Sequence, residues 1–240
     1  MRSAGLTHTG MVRKENQDAF INKHEPNGMF VLAVADGMGG HKAGDVASAC
    51  TVRELDSYFS IWGKGDYFKK TAEIKNLIKH INRNLYYMSN QSPDYDGMGT
   101  TLTLLIANGK KAHIFHVGDS RAYLIDKNIT QITKDHSLVQ FMLDSGQISK
   151  EEAADHPNKN VITRAMGTDE DIEVDIYEIA LSQGDRILLC SDGLTDELAD
   201  DDLKNAVKEE KSLRKAVFRL VEMANAKGGH DNVTALLFEC

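Results

Sequence analysis

The chain has 240 residues, 41% hydrophobic and 27% charged, which is the composition of a globular protein able to bury a sizeable core. Its net charge of −8 disfavours nucleic acid as a partner, because binding to a phosphate backbone needs a basic surface. No run of about 18 apolar residues suggests a membrane span. The N-terminus lacks the apolar segment of a secretion signal, and the three scattered cysteines suit a reducing compartment, so we expect a cytoplasmic protein.

Short apolar runs rich in β-branched residues predict strands at Phe30–Ala35, Thr100–Ala107, His113–Val117, Ala122–Ile125, Val174–Ala180, Arg186–Cys190 and Val233–Phe238. A helix is predicted from Ala43 to Phe59, and two amphipathic helices are predicted around the apolar sets Ile74, Leu77, Ile78, Ile81, Leu85 and Leu213, Ala216, Val217, Leu220, Val221. The strands follow one another in hairpin-like pairs instead of alternating with helices. We therefore predict an α+β protein, a four-layer α-β-β-α sandwich with a central antiparallel β-sandwich.

One segment interrupts the β pattern. Between Asp135 and Gly167 the chain is polar and helix-forming, and Ser149 and Glu152 have the spacing of a capping box. The sequence therefore predicts a mobile helical flap inserted at about 137–166 in a single domain that spans residues 1–240.

A local pattern occurs twice along the chain. FVLAVADG leads an apolar strand into Asp36 and Gly37, and RILLCSDG does the same at Asp192 and Gly193. A strand fixes the position of the carboxylate at its end, and a following glycine allows a sharp turn that leaves a carbonyl free. One isolated Asp-Gly pair is more often only a turn, whereas two such strand ends favour a site.

Two further aspartates have similar settings. Asp119, in FHVGDSRAYL, is predicted at the tip of a hairpin, and Asp231, in GGHDNVTALLF, directly precedes a strand. Carboxylates that converge at one edge of a sandwich repel one another, and hard divalent cations such as Mg²⁺ or Mn²⁺ relieve that repulsion. The sequence has no thiolate or paired-histidine spacing of the kind that a structural zinc site uses.

Eight short motifs occur in order: RKENQD (13–18), VADGMGGH (34–41), GMGTTL (97–102), HVGDSR (116–121), TKDHS (133–137), NVITRAMG (160–167), LCSDG (189–193) and GGHDN (228–232). Each is weak alone. In this order, and over almost the whole chain, they resemble the metal-dependent protein phosphatase family, type 2C, in its short bacterial form. The resemblance implies a β-sandwich flanked by helices, with two Mg²⁺ or Mn²⁺ ions at one edge and a third, weaker site.

The resemblance also implies a set of metal ligands. Asp36 would bridge the two ions, and the carbonyl of Gly37 would bind the second. Asp192 and Asp231 would complete the first. Asp119 matches the position associated with the third metal in bacterial members of the family.

Other matches concern the substrate and the proton. Arg13 matches the arginine that clamps the substrate phosphate, a role suited to a planar guanidinium. Gln17 stands where many relatives carry glutamate, so Asp18 is expected to act on the second metal partly through water. Met38 stands where eukaryotic-type relatives carry the proposed general acid, which leaves His41 or a metal-bound water as the proton donor.

The function that the resemblance implies is hydrolysis of phosphoserine and phosphothreonine on proteins by a metal-activated water, in a monomer that opposes a bacterial serine/threonine kinase. An alternative is a catalytically weak regulatory module of the same fold that binds phosphoproteins. A cysteine phosphatase needs an arginine at a fixed distance after its cysteine, where this chain has Asp56 and Asp196. An aspartyl-phosphate enzyme needs an aspartate two places before Asp-Gly, where Val34 and Cys190 stand.

Overall fold

Two antiparallel β-sheets form the centre of the computed structural model, which describes residues 1–38, 43–61, 70–154 and 156–240. The first sheet has the strand order β1 (Arg2–His8), β11 (Val233–Glu239), β10 (Arg186–Cys190), β7 (Arg121–Ile125) and β8 (Ile129–Gln131). The second has the order β2 (Asp18–His24), β3 (Phe30–Met38), β5 (Leu102–Asn108), β6 (Lys111–Val117) and β9 (Asp175–Ala180), and β4 (Gly99–Thr100) pairs with the end of β3.

The helices lie on the outer faces and in the connections. They are α1 (Gly44–Ile61), α2 (Thr71–Gln91), a 3-10 turn at Pro93–Tyr95, α3 (Leu138–Asp144), α4 (Lys150–Ala154), α5 (Asp192–Thr195), α6 (Asp200–Glu209) and α7 (Leu213–Lys227). In the described ranges, no helix combines the length and the apolar character that crossing a bilayer requires.

Three apolar clusters separate four layers. One lies between α1, α2 and the second sheet, one lies between α6, α7 and the first sheet, and the third lies between the two sheets. Strand β3 shows how the sequence builds this order: Val31 and Ala33 face the helices, whereas Leu32 and Val34 face the other sheet. Because successive strand residues point to opposite faces, a strand covered on both sides is apolar throughout. The predicted α-β-β-α sandwich is confirmed.

Among the described residues, four strands and two helices were not predicted from the sequence. Strands β1 and β2 stand at the ends of their sheets and carry mostly polar or half-buried residues, so their apolar pattern is weak. Strands β4 and β8 contain two and three residues. Helices α5 and α6, of four and ten residues, also follow β10 without having been predicted.

The predicted hairpin around Asp119 is wrong. Strand β6 pairs with β5 and β9 in one sheet, whereas β7 pairs with β10 and β8 in the other, so Asp119 lies on a crossover between the sheets. Gly118 makes the crossover with φ of +109°, and a Cβ there would lie 2.6 Å from Cγ2 of Thr101. The apolar runs identified both strands correctly but carry no information about which strand each one pairs with.

The segment predicted as a flap contains α3 and α4. Its capping box is present, since the Ser149 N–H donates to Oε2 of Glu152 at 2.8 Å and the Glu152 N–H donates to Oγ of Ser149 at 3.2 Å. The two ends of the segment meet at a bridge between Ser137 and Ile162. We call residues 137–161 the flap from here on.

Candidate active site

Asp18 and Asp36 lie directly opposite each other on β2 and β3. Asp36 is inside β3, which continues to Met38, so the predicted sharp turn at Gly37 is wrong. Glycine is required there for another reason: a Cβ would lie 2.1 Å from the carbonyl oxygen of Gly44 at the start of α1. The close approach of α1 to β3 therefore depends on this glycine.

Asp18 is buried and only half satisfied by hydrogen bonds. Its Oδ2 accepts from the hydroxyls of Thr234 at 2.6 Å and Ser191 at 2.8 Å, whereas its Oδ1 has no hydrogen-bond partner among the described residues. Burial raises the pKa of Asp18 to about 7, and the charges of Asp192 and Asp231 add to the rise, while the two hydroxyls oppose it. A buried carboxyl oxygen without a donor is an arrangement that a cation would stabilise.

The neighbouring carboxyl groups are perturbed in the same direction. Burial, followed by the charges of Asp18 and Asp192, raises the pKa of Asp36 well above its ordinary range. At the start of α5, burial raises the pKa of Asp192 to about 6, with further contributions from Asp196 and Asp231. These groups therefore form one electrostatically coupled cluster, which holds protons at a pH where isolated aspartates would be ionised.

Asp119 joins this cluster from the crossover. Its Oδ1 is buried and, in the described part of the chain, has no hydrogen-bond partner. Burial raises the pKa of its carboxyl well above the ordinary range, with the charge of Asp192 as the next cause. The side chain is thus the second in the cluster with an orphan buried oxygen. Carboxylate oxygens are the ligands that Mg²⁺ and Mn²⁺ prefer.

Arg13 and Asp231 form an ion pair at the edge of the cluster. Nη2 of Arg13 donates to Oδ2 of Asp231 at 2.7 Å, and the Arg13 side chain is 57% exposed. Asn232 holds this loop in place, since its Oδ1 accepts from the Gln17 N–H and its Nδ2 donates to the Glu15 carbonyl. The geometry thus places the predicted phosphate-binding arginine directly beside a predicted metal ligand.

In residues 1–38, 43–61, 70–154 and 156–240, no three His, Cys, Asp or Glu side chains form a ready-made metal-ion site. Two of the aspartates already have other partners, since Asp231 pairs with Arg13 and Oδ2 of Asp18 accepts from hydroxyls. The features that fit a divalent cation are the raised pKa values and the orphan oxygens of Asp18 and Asp119. His41, the predicted proton donor, lies outside the described residues.

A cavity of about 620 Å³ opens beside Asp119 and Asp192. The flap lines its other side with residues that include Val139 and Lys159, and Lys159 forms an ion pair with Asp196 at 3.1 Å. A second cavity of about 350 Å³, between β1 and α7, is lined by none of the cluster aspartates. The first cavity therefore offers a path from the flap to the carboxyl cluster.

The residues that support the cluster were not predicted from the sequence. Ser191 and Thr234 bond to Asp18, and Asn232 bonds to the loop of Arg13. The sequence did contain a signal for one of them, because Thr234 is a lone polar residue inside the apolar run VTALLF. A buried hydroxyl in such a run needs a partner, which suggests a polar network nearby.

The family profile described as Protein phosphatase 2C matches residues 8–237. This match covers nearly the whole chain, and the chain therefore belongs to the protein phosphatase 2C family.

Relatives support the same assignment. The serine/threonine phosphatase stp of Listeria welshimeri is 39% identical over 248 aligned residues, an alignment that covers 100% of this chain and 96% of the relative. The crystal structure of the serine/threonine phosphatase Stp1 from Staphylococcus aureus superimposes with a TM-score of 0.95 at 38% identity, covering 99% of this chain and 94% of that one. The catalytic domain of the serine/threonine protein phosphatase PstP, in complex with two manganese ions, superimposes with a TM-score of 0.86 at 36% identity, covering 98% and 96%.

Proposed function

We propose that this chain is a metal-dependent phosphatase that hydrolyses phosphoserine and phosphothreonine on proteins. The observation that carries the proposal is the buried cluster of four aspartates with raised carboxyl pKa values, Asp18, Asp36, Asp119 and Asp192. Among the described residues, Oδ1 of Asp18 and Oδ1 of Asp119 have no hydrogen-bond partner, so a cation would stabilise them. Asp119 and Asp192 also line an open cavity. The family match and the manganese complex of PstP support the proposal.

The proposed metal ligands are those that the family resemblance implies, and the carboxyl cluster supports them. Asp36, Asp192 and Asp231 would hold two Mn²⁺ or Mg²⁺ ions, with the carbonyl of Gly37 and the carboxyl of Asp18 contributing to the second. When bound, these ions lower the pKa of a water molecule so that it can attack phosphorus at neutral pH. Asp119, on its crossover, would serve a third and weaker site.

The remaining groups act on the substrate. Arg13 binds two oxygens of the phosphoryl group through its planar guanidinium and stabilises the charge that develops on them. To do so it exchanges its bond to Asp231 for bonds to the phosphoryl oxygens. The serine or threonine alkoxide needs a proton as it leaves, and on the sequence pattern His41, or a water molecule held at the metal site, would supply it.

The flap is proposed to select the protein substrate within a single domain. Its Phe141 is 62% exposed and its Val161 45% exposed, so the flap presents apolar surface to solvent. Their chain neighbours Gln140 and Asn160 line the cavity. Phosphorylated proteins, among them a serine/threonine kinase that the phosphatase opposes, are the proposed partners of a monomeric enzyme. The three free cysteines fit a cytoplasmic location.

The test is hydrolysis of p-nitrophenyl phosphate and of a phosphothreonine peptide with Mn²⁺, with Mg²⁺ and with EDTA. We expect activity with either metal and none with EDTA. Asp36→Asn and Asp192→Ala should lose most of it while circular dichroism shows a folded protein, whereas Asp126→Asn, on an exposed turn, should retain it.

Tight binding of the phosphopeptide without turnover at saturating Mn²⁺ would instead support the alternative, a regulatory phosphoprotein-binding module. In the described part of the chain no observation favours that alternative, since all five aspartates of the motifs are present.

A further inference from the structure

His136 is the point where the root of the flap contacts the crossover that carries Asp119. The His136 N–H donates to the carbonyl of Gly118 at 2.7 Å, and the Gly118 N–H donates to Nδ1 of the same histidine at 3.0 Å. The side chain is only 9% exposed. Two hydrogen bonds therefore connect this one residue to the backbone immediately before Asp119.

These bonds determine the tautomer of the ring. Because Nδ1 accepts the Gly118 N–H, the proton of the neutral ring must be on Nε2, which then donates to Oδ2 of Asp175 at 3.2 Å. Burial lowers the pKa of His136 and so favours this neutral form, and the nearby charge of Arg164 lowers it further, while Asp175 opposes them. Nη1 of Arg164 lies 3.0 Å from Nε2, but its two N–H groups have other acceptors, Oδ1 of Asp175 at 2.9 Å and the carbonyl of Glu173 at 3.4 Å. The contact with Nε2 therefore does not require Nε2 to accept, and the Asp175 carboxylate accepts from both side chains.

The same histidine joins the two ends of the flap. Its carbonyl accepts the N–H of Thr163 at 2.8 Å. The residues next to this pair on the flap side, Ser137 and Ile162, form a β-bridge. A displacement of the returning segment would therefore be transmitted to the residue that bonds to Gly118.

The crossover needs an external support of this kind. Gly118 has φ of +109°, a conformation that residues with a side chain rarely adopt, and it packs against Thr101. It lies just beyond the end of β6, outside the paired residues of both sheets. A glycine gains no stiffness from its own side chain, so its position depends on its hydrogen-bond partners.

We propose that His136 is a positioning residue: in its Nε2–H tautomer, oriented by Asp175, it holds the Gly118–Asp119 crossover and couples it to the flap. The structural part of this proposal concerns the crossover alone. Its consequence for cation binding rests on the role proposed above for Asp119.

The tautomer is tested first, on the metal-free wild-type protein, by the ¹⁵N chemical shifts of the His136 ring. We expect a neutral ring with its proton on Nε2 at pH 7.5. A ring with its proton on Nδ1, or a doubly protonated ring, could not accept the Gly118 N–H and would overturn the proposal.

The amide hydrogen-exchange rate of Gly118 is the second measurement. His136→Gln removes the Nδ1 acceptor but retains a group that can reach Asp175, and should raise the rate about tenfold, the equivalent of one ordinary hydrogen bond. His136→Asn places an oxygen near the position of Nδ1 and should keep the rate within about threefold of wild type on the same scale. His80→Gln, on the exposed side of α2, controls for the loss of an imidazole elsewhere.

If the two His136 variants exchange at the same rate, the proposal is wrong. Asp175→Ala leaves His136 in place but removes the group that orients it, so it provides a second route if His136→Gln fails to fold. It should also accelerate Gly118 exchange, and an unchanged rate would contradict the orienting role.

Calorimetric titration with Mn²⁺ tests the consequence for Asp119. His136→Gln should weaken the weaker site about tenfold and leave the tighter ones unchanged, because those ligands lie on other elements. The NMR measurements need no metal and no substrate, so failure of the phosphatase assay and failure of this proposal are distinguishable.

Discussion

Asp18→Asn is predicted to stabilise the metal-free protein at pH 8. Burial raises the pKa of Asp18 from 3.8 to about 7, so between these values the native state holds a proton that the unfolded chain has lost. The free energy of unfolding therefore falls as pH rises through this window, which is the reverse of the usual aspartate effect. At about 1.4 kcal/mol per unit, the difference 7 − 3.8, about three units, corresponds to roughly 4 kcal/mol at pH 8.

Asparagine keeps an acceptor oxygen for the hydroxyls of Ser191 and Thr234 but carries no charge. We expect a gain of about 2–4 kcal/mol in the free energy of unfolding at pH 8. The lower figure applies if protonation of neighbouring carboxyls already relieves part of the charge repulsion in the wild-type protein. At pH 5 the wild-type carboxyl is protonated in the native state, and the gain should be less than half as large.

The assay is urea denaturation at pH 5 and pH 8, with and without Mn²⁺. Asp126→Asn is the matched control: it makes the same change on an exposed turn, where Oδ1 accepts the N–H of Asn128, and should alter stability by less than about 0.5 kcal/mol. Mn²⁺ should stabilise the wild type more than Asp18→Asn. An equal effect of the substitution at both pH values, or a loss of stability at pH 8, would refute the electrostatic reasoning.

Three further predictions concern other parts of the site. Gly37→Ala should cost about 1–3 kcal/mol in urea denaturation, because its Cβ would lie 2.1 Å from the Gly44 carbonyl oxygen, and an unchanged midpoint would contradict that close approach. Arg13→Ala should lower kcat/KM for a phosphopeptide about 10–100-fold with an unchanged circular dichroism spectrum, as expected for loss of a charge-assisted hydrogen bond from an exposed side chain. Phe141→Ala should lower kcat/KM about tenfold on a phosphoprotein but not on p-nitrophenyl phosphate, and equal losses on both would assign the flap a structural role.

Much of the fold could be predicted from the sequence because the distribution of apolar residues along the chain indicates which elements are buried, and on how many faces. Strand β3 is apolar at every position from Phe30 to Ala35, which predicts a strand buried on both faces. In the structure, β3 is covered by helices on one face and by the other sheet on the opposite face. The phosphatase assignment was also predictable, since eight motifs in order are specific, and the family match over residues 8–237 confirms it. The metal-binding and catalytic roles of individual residues stay predictions, among them that of His41.

Only the tertiary structure decided how these pieces meet. The sequence placed Asp119 on a hairpin, yet β6 and β7 pair in different sheets. An apolar run indicates that a strand is buried but does not specify which strand lies beside it. The sequence also placed a turn at Gly37, where close packing against α1 is what requires glycine. Ser191 and His136, far apart along the chain from the carboxyl and crossover they support, acquire their roles from hydrogen bonds that close only when both sheets and the flap root are assembled.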